Sequence, residues 1–332
     1  INMNFNEFKT EIIGAVGELK KCFVQKGVNI EVFVQEAESV NIKGENLVIK
    51  PGDNTNVCFS KNLKELYEIY NNYGDFSEFF SEFVKILQDA FSQIRLMNGD
   101  LILKSMAKSF NDGNIVFNLV NAYDNQKLLK DVPHRRIADL AIIYRVVCID
   151  EQGRASTVIH NNLAEKFNKT EEELYEMAYN NMKQNYPITL DTLGSRAFSS
   201  LISLFTDEDG NISNLDFENI ELDSDNLYVL SNSRYLYGAT AILFDNVLET
   251  IANKFDSDLY ITFSSIHELI IASKDYIDSQ GNIDYYIDMI SEVNAMSVNV
   301  KDRLSNQFYW YDREEKRLKK VESDAPESVL DY

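Results

Sequence analysis

Cysteine is scarce in this chain of 332 residues: Cys22, Cys58 and Cys148 are an odd number at long spacing. They offer no disulfide framework and no paired-cysteine zinc pattern. Cys148 lies in an apolar run and reads as a small buried hydrophobe. Proline (4) and glycine (13) are also few, so breaks are rare and regular structure should be dense. No apolar run approaches the roughly 18 residues of a membrane span, and no basic-then-apolar leader opens the sequence. The expectation is a cytoplasmic protein with no membrane partner. Basic residues are in deficit, 32 Lys and Arg against 53 Asp and Glu, for a net charge of −21. A surface so short of cations argues against direct nucleic-acid binding and against anionic lipid. It leaves open an acidic mimic of nucleic acid. The acids are spread along the chain rather than gathered in runs, which favours plain solubility.

Apolar residues make up 45% of the chain, with 20 Phe and 18 Tyr, enough for a substantial core. The organising stretch is 115–150. Ile115–Val120 suits a half-buried strand, and Asn121, Asp124 and Asn125 form a polar elbow. Gln126–Lys130 can hold one helical turn, which Pro133 ends. Residues 138–149 then form a nearly unbroken apolar run, interrupted by Asp139, Tyr144 and Arg145, that reads as a central strand covered on both faces.

Before this stretch, residues 3–26 carry Phe5, Phe8, Ile12, Val16 and Leu19 at helical spacing, and residues 28–36 alternate as a strand. A KGEN turn at 43–46 joins the next hairpin. Two helices follow, the second with an aromatic stripe of Phe79, Phe80, Phe83 and Phe91 that reads as core. After it, Ala155–His160 pairs with the central strand, and Thr170 with Glu173 signs a capping box. Residues 194–205 read as a helix and 206–226 as a surface excursion. Strands are expected at 227–230, 239–244, 259–263, 267–273 and 308–311, and helices at 246–255 and 283–296. The segments DLAIIYRVV…GRASTVIHNNL and LYVLSNS…GATAILFDNVL are weakly alike, matching Ala155 with Ala239 and Asn162 with Asn246. They are either a true repeat or two converging hairpin–helix units.

Strands in hairpin pairs followed by helices give α+β: antiparallel or mixed sheets built from hairpin–helix units, with helices on one face. The expected division is an N-terminal α+β unit over 3–105, a larger α+β unit over 106–322 around the central strand, and a frayed tail over 323–332.

Leu119–Asn121, Asn125, Leu128–Leu129, Pro133–Arg135 and Asp139–Leu140 form a pattern, joined by SSIHELII at 264–271 and YDREEKR at 311–317. In these the chain resembles domain-of-unknown-function family 5688, found mainly in anaerobic gut Firmicutes and their mobile elements. The likeness runs from Met3 to about Val321. It implies a mobile-element or host-conflict setting and no particular activity.

Histidine is the side-chain type best suited to acid–base work near neutrality, and the chain has three: His134, His160 and His267. If the elbow and the SSIHE segment meet, His134 or His267 serves as base, Glu268 orients it and Arg135 holds an anion, a hydrolase-like pocket. The preferred reading is structural: His134 caps a turn and His267 sits at a strand edge, both satisfied by backbone, and His160 ends a strand. On a strand, His267 and Glu268 point to opposite faces and cannot chelate one ion, so no metal site and no cofactor is expected. Ser264 and Ser265 lack the glycine-flanked elbow of a nucleophile. Candidate binding residues are Asn121 and Asn125 in the elbow and Trp310, which alternation places opposite Tyr309 and Tyr311 and so in reach of an interface. The leading expectation is a binding or adaptor protein with a protein partner. A hydrolase-like enzyme and an acidic mimic are the alternatives.

Overall fold

The computed structural model of the chain describes residues 3–25, 30–39, 42–51, 58–96, 99–111, 113–150, 153–195, 221–263, 265–281, 283–298 and 300–321. The expectations for the Cys148 side chain, for most of the 194–205 helix and 206–226 excursion, and for the tail lie outside this description. The chain divides into two compact units, Ile1–Lys108 and Ser109–Tyr332.

In the first unit, helix α1 (Phe5–Gln25) starts at Asn4. The Asn4 side chain accepts from the Asn6 and Glu7 amides at 3.0 Å, and the Asn4 amide donates to the Glu7 carboxylate at 2.8 Å. This reciprocal cap satisfies otherwise orphaned donors. Strands β1 (Ile30–Ser39) and β2 (Ile42–Pro51) pair antiparallel over their full length, and β3 (Phe59–Asn62) adds to β2. The expected KGEN turn is absent. β2 runs straight through it, with Gly44 at φ +127° opposite Ala37. Glycine alone adopts that angle freely, so the backbone irregularity is absorbed within the ladder. Helices α2 (Leu63–Tyr73) and α3 (Phe76–Leu96) follow, and α4 (Gly99–Asn111) leads onward.

The aromatic stripe is core. Phe8 stacks on Tyr70 at 5.2 Å and meets Phe79 edge-on at 5.5 Å, and Ile12, Val16, Ile30, Leu47 and Ile49 close around them. Each such side chain contributes ~1.5–3 kcal/mol by leaving water. Helices α1, α2 and α3 pack on the Ile30, Leu47 and Ile49 face of the sheet, and Phe33 on the other face is exposed.

The second unit begins with β4 (Ile115–Asn121), the short α5 (Gln126–Leu129) and β5 (His134–Ile137), then β6 (Leu140–Asp150) and β7 (Gly153–Val158). All pair antiparallel with β6: β4 along one edge, β5 and β7 in succession along the other. Residues expected to begin the central strand instead make the β5–β6 turn, where Ala138 has φ +51°. From Leu140 to Val147 the strand is buried on both faces, with Arg145 half-buried.

Helices α6 (Asn161–Lys166) and α7 (Glu171–Asn185) come next. α7 starts on the Thr170/Glu173 capping box, and its Tyr175 packs 5.0 Å from Phe117 of β4. The remaining elements are β8 (Ile188–Thr192), β9 (Tyr228–Asn232), α8 (Val247–Phe255), β10 (Leu259–Thr262), β11 (Leu269–Ser273), α9 (Lys274–Ser279), α10 (Ile283–Ser297), β12 (Phe308–Asp312) and β13 (Arg317–Lys320). Their strands form an antiparallel sheet in the order β13-β12-β10-β11-β9-β8. On one face Tyr260, Ala272 and Phe308 pack with Ile277 of α9 and Ile287 of α10. On the other, Tyr228 meets Phe255 of α8 at 5.6 Å. The chain is α+β, its described sheets antiparallel throughout; in this sheet helices stand on both faces.

The strand expected over 239–244 is a 3-10 turn, Gly238–Leu243. Tyr237 enters it at φ +53°, and Gly238 sits against the His267 carbonyl, so the segment curls rather than extends. The two weakly alike segments therefore differ: Ala155 lies in a strand and Ala239 in a helical turn, while Asn162 is inside α6 and Asn246 precedes α8. Among the described residues no helix is long and apolar enough to cross a membrane.

Candidate functional site

His134 opens β5, and its Nδ1 lies 3.0 Å from the Val132 carbonyl. Arg135 points to the other face of the sheet. Its Nε donates to Glu171 at 2.7 Å and its Nη2 to Glu172 at 2.5 Å, with the guanidinium 3.9 Å from the Tyr175 ring centre. The Glu171 bond raises the Arg135 pKa, and Glu171 also accepts from the Tyr144 hydroxyl. Two carboxylates of this chain thus occupy the anion-holding position assigned to Arg135.

His267 is not on a strand; it lies in the bend before β11, with Glu268 after it. Its Nδ1 accepts the Tyr237 amide at 3.2 Å, which puts the ring proton on Nε2, 3.7 Å from the Asp302 carboxylate. No hydrogen bond, ion pair or ring contact joins His134 to His267. His160 is paired with Asp131 at 2.8 Å. Asn121 accepts from the Tyr123 and Asp124 amides, and the buried Asn125 donates to the Asn121 carbonyl at 2.8 Å, so both build the elbow. Trp310 donates to Asp258 at 2.9 Å, and Lys319 stands 4.8 Å over its ring.

Around His267 the backbone is held in unusual shapes. Tyr235 (φ +48°) and Tyr237 (φ +53°) both adopt the left-handed region, at a cost on the order of 1–3 kcal/mol each. The buried Asn232 side chain pins this loop by accepting the Arg234 amide and donating to the Leu236 carbonyl. The Tyr237 ring then stacks near His267 at 6.0 Å and lies 5.6 Å from the Arg145 guanidinium. The Tyr237 hydroxyl is 3.1 Å from the Ser156 hydroxyl.

A second feature is a cleft of about 410 Å³, a size that suits ligand recognition. Tyr179, Lys183, Gln184 and Tyr186 supply one wall; Phe244, Asp245, Asn246 and Thr250 supply the other. α7 places Tyr175, Tyr179 and Lys183 one turn apart on a single face. Tyr179 packs 5.1 Å from Phe244, and its hydroxyl donates to Asp245 at 2.9 Å. Burial and that carboxylate raise the Tyr179 pKa, so the phenol stays neutral. Lys183 stands 5.5 Å over Tyr179 and Arg234 4.6 Å over Tyr186.

Sequence reasoning missed both features. A lone arginine within an apolar run is a signal for the first. The four-residue spacing of Tyr175, Tyr179 and Lys183 points to one wall of the second, but nothing in sequence joins it to Phe244 and Asp245.

The model of a family of unknown function, DUF5688, matches residues 5–313. The chain belongs to DUF5688. The match spans both units, and in this DUF5688 protein the cleft and the Arg145 surroundings lie inside it. No curated protein and no solved structure matches the chain.

Proposed function

We propose that this DUF5688 protein is a non-catalytic binding protein of the cytoplasm whose cleft receives a basic segment of a protein partner. The observation that carries the reading is the use of the cleft's two tyrosines. Each has a cation of this chain over its ring, Lys183 at Tyr179 and Arg234 at Tyr186. Ring faces attract cations through their quadrupole, and both rings line the cleft. Lys183 is exposed on a flexible stem and can give way to an incoming lysine or arginine. Asp245 in the opposite wall adds a carboxylate. The chain's net charge of −21 steers a basic partner toward the surface.

The test is calorimetric titration of a Lys/Arg-rich peptide, with a Glu-rich peptide of equal length as control. Only the basic peptide is expected to bind, and more weakly at higher salt. Tyr179→Ala removes a cation–π seat of ~1 kcal/mol and weakens binding about fivefold. Lys183→Ala frees that seat and tightens binding. Affinity indifferent to both substitutions and to salt rules the reading out.

A further inference from the structure

Arg145 is the only charged residue in the buried run Leu140–Val147. Its Nε donates to the Ser156 hydroxyl at 3.2 Å and its Nη2 to the Ser156 carbonyl at 3.3 Å. Among the described residues no carboxylate pairs with it, whereas Arg135 has Glu171 and Glu172 and Arg313 has Asp256. Burial lowers the Arg145 pKa, a sign that its surroundings disfavour the charge. Desolvated cations are ordinarily paired, because an unpaired one costs stability.

The two hydroxyls beside it, of Ser156 and Tyr237, also carry hydrogens to give. Ser156 Oγ accepts from Arg145, so its own hydrogen can go to the Tyr237 oxygen 3.1 Å away. The Tyr237 hydrogen is then free for a third oxygen. Tyr237 is more than nine-tenths buried, and its position is set by the left-handed loop and by its amide bond to His267.

We propose that Arg145, Tyr237 and Ser156 form a binding site for an oxyanion group, a phosphate or carboxylate carried by a small molecule. The anion accepts from the outer edge of the guanidinium and from the Tyr237 hydroxyl, and it supplies the counter-charge that no described carboxylate supplies. A planar fork of N–H donors matches either oxyanion in bidentate fashion. His267 acts here as a positioning residue, holding the Tyr237 backbone. The site is separate from the cleft and does not depend on the basic-peptide reading.

The experiment is thermal unfolding and calorimetry of the full chain with inorganic phosphate and with citrate, using chloride at matched ionic strength as control. The wild type is expected to show a saturable stabilisation by one of the two anions, and which one identifies the oxyanion. Phosphate and citrate also stabilise proteins generally by exclusion from their surfaces, so the readout is the difference between wild type and variants. Arg145→Met is expected to lose the saturable component and, without anion, to melt no lower than wild type. Arg145→Lys keeps the charge without the fork and binds at least tenfold more weakly. Tyr237→Phe keeps the ring and loses the hydroxyl, with a weaker loss. Should Arg145→Met fail to fold, the Arg145→Lys and Tyr237→Phe titrations decide. Equal anion responses in wild type and all folded variants, or no saturable response in wild type, overturn the proposal.

Discussion

Gly238 is where this structure makes its sharpest demand on one residue. A Cβ built there lies 2.2 Å from the His267 carbonyl oxygen, 2.2 Å from Ser231 Oγ and 3.0 Å from the Asn232 nitrogen. Carbon and carbonyl oxygen normally approach no closer than about 3.3 Å. The Ser231 hydroxyl can rotate away, but it then gives up its 2.8 Å bond to the same carbonyl. The carbonyl itself belongs to the main chain entering β11 and cannot move alone. Overpacking of this kind costs ~1–3 kcal/mol, and the lost hydrogen bond adds ~1 kcal/mol. Gly238→Ala should therefore destabilise Ser109–Tyr332 by roughly 3 kcal/mol. For a unit of that size this is about 6–12 °C in Tm. Gly14→Ala and Gly17→Ala are the controls. They lie inside α1 with nothing within 4 Å of the added methyl, and each should stabilise the first unit by ~0.5–1 kcal/mol. Differential scanning calorimetry reads all three. A Gly238→Ala transition within a degree of wild type would refute the close approach on which the Tyr237–His267 arrangement rests.

Other outcomes follow from caps and titrations. Asn62 caps α2 by accepting the Lys64 and Glu65 amides, so Asn62→Ala should cost the first unit ~1 kcal/mol in denaturant melts. Glu173 has its pKa lowered by the Thr170 amide and hydroxyl in the α7 capping box. Its contribution is present above the ordinary carboxylate value and is lost as pH falls through the depressed one. The Tm gap between wild type and Glu173→Gln should accordingly close on acidification, and a gap that is constant with pH counts against the box. Tyr144 and Tyr309 have their pKa values raised, first by burial and then by bonds to Glu171 and Asp139. Stability from these neutral phenols is complete below about pH 10, where the unfolded phenol ionises, and declines as pH rises toward the folded values. Tyr309→Phe should flatten part of that alkaline decline in pH-dependent melts, and an unchanged slope would show that the buried phenol is not its source.

Local periodicity was the legible part of the fold. The α1 and α3 stripes, the β1 alternation and the Thr170/Glu173 box are set by residues within one or two turns of each other, and each stands where its spacing puts it. Composition misleads where a partner on another element decides the backbone. KGEN resembles a turn, yet its residues are held extended by Gln35–Glu38 across the ladder. GATAIL has strand-like composition, yet Gly238 is pressed against a carbonyl almost thirty residues away in sequence, and the chain curls. The left-handed angles of Ala138, Tyr235 and Tyr237 belong to residue types that rarely adopt them, so composition offers no sign of them. The site followed the same division. Rarity singled out the histidines, but their bonds go largely to backbone groups and neighbouring carboxylates. The cleft joins 179–188 to 244–250, two segments of ordinary composition that only the fold brings together.

Several energetic costs gather around one residue of the second unit. Two left-handed tyrosines, a glycine that tolerates no side chain, and a desolvated arginine without a described carboxylate all meet at Tyr237. A core selected for stability alone would place an apolar residue at 145, where Ala141, Ile143 and Val147 share its face of β6 and are buried, and would spare the loop its strain. Stability given up by neighbouring residues together fits a site kept for what it holds. The two accounts of Arg145 are separated by the stability of Arg145→Met read together with the anion response. If the arginine is structural, Arg145→Met loses its bonds to Ser156 and melts lower than wild type. If it is a recognition residue, the variant melts as high or higher and is blind to the anion. Structural residues rarely improve a fold when removed; binding residues often do.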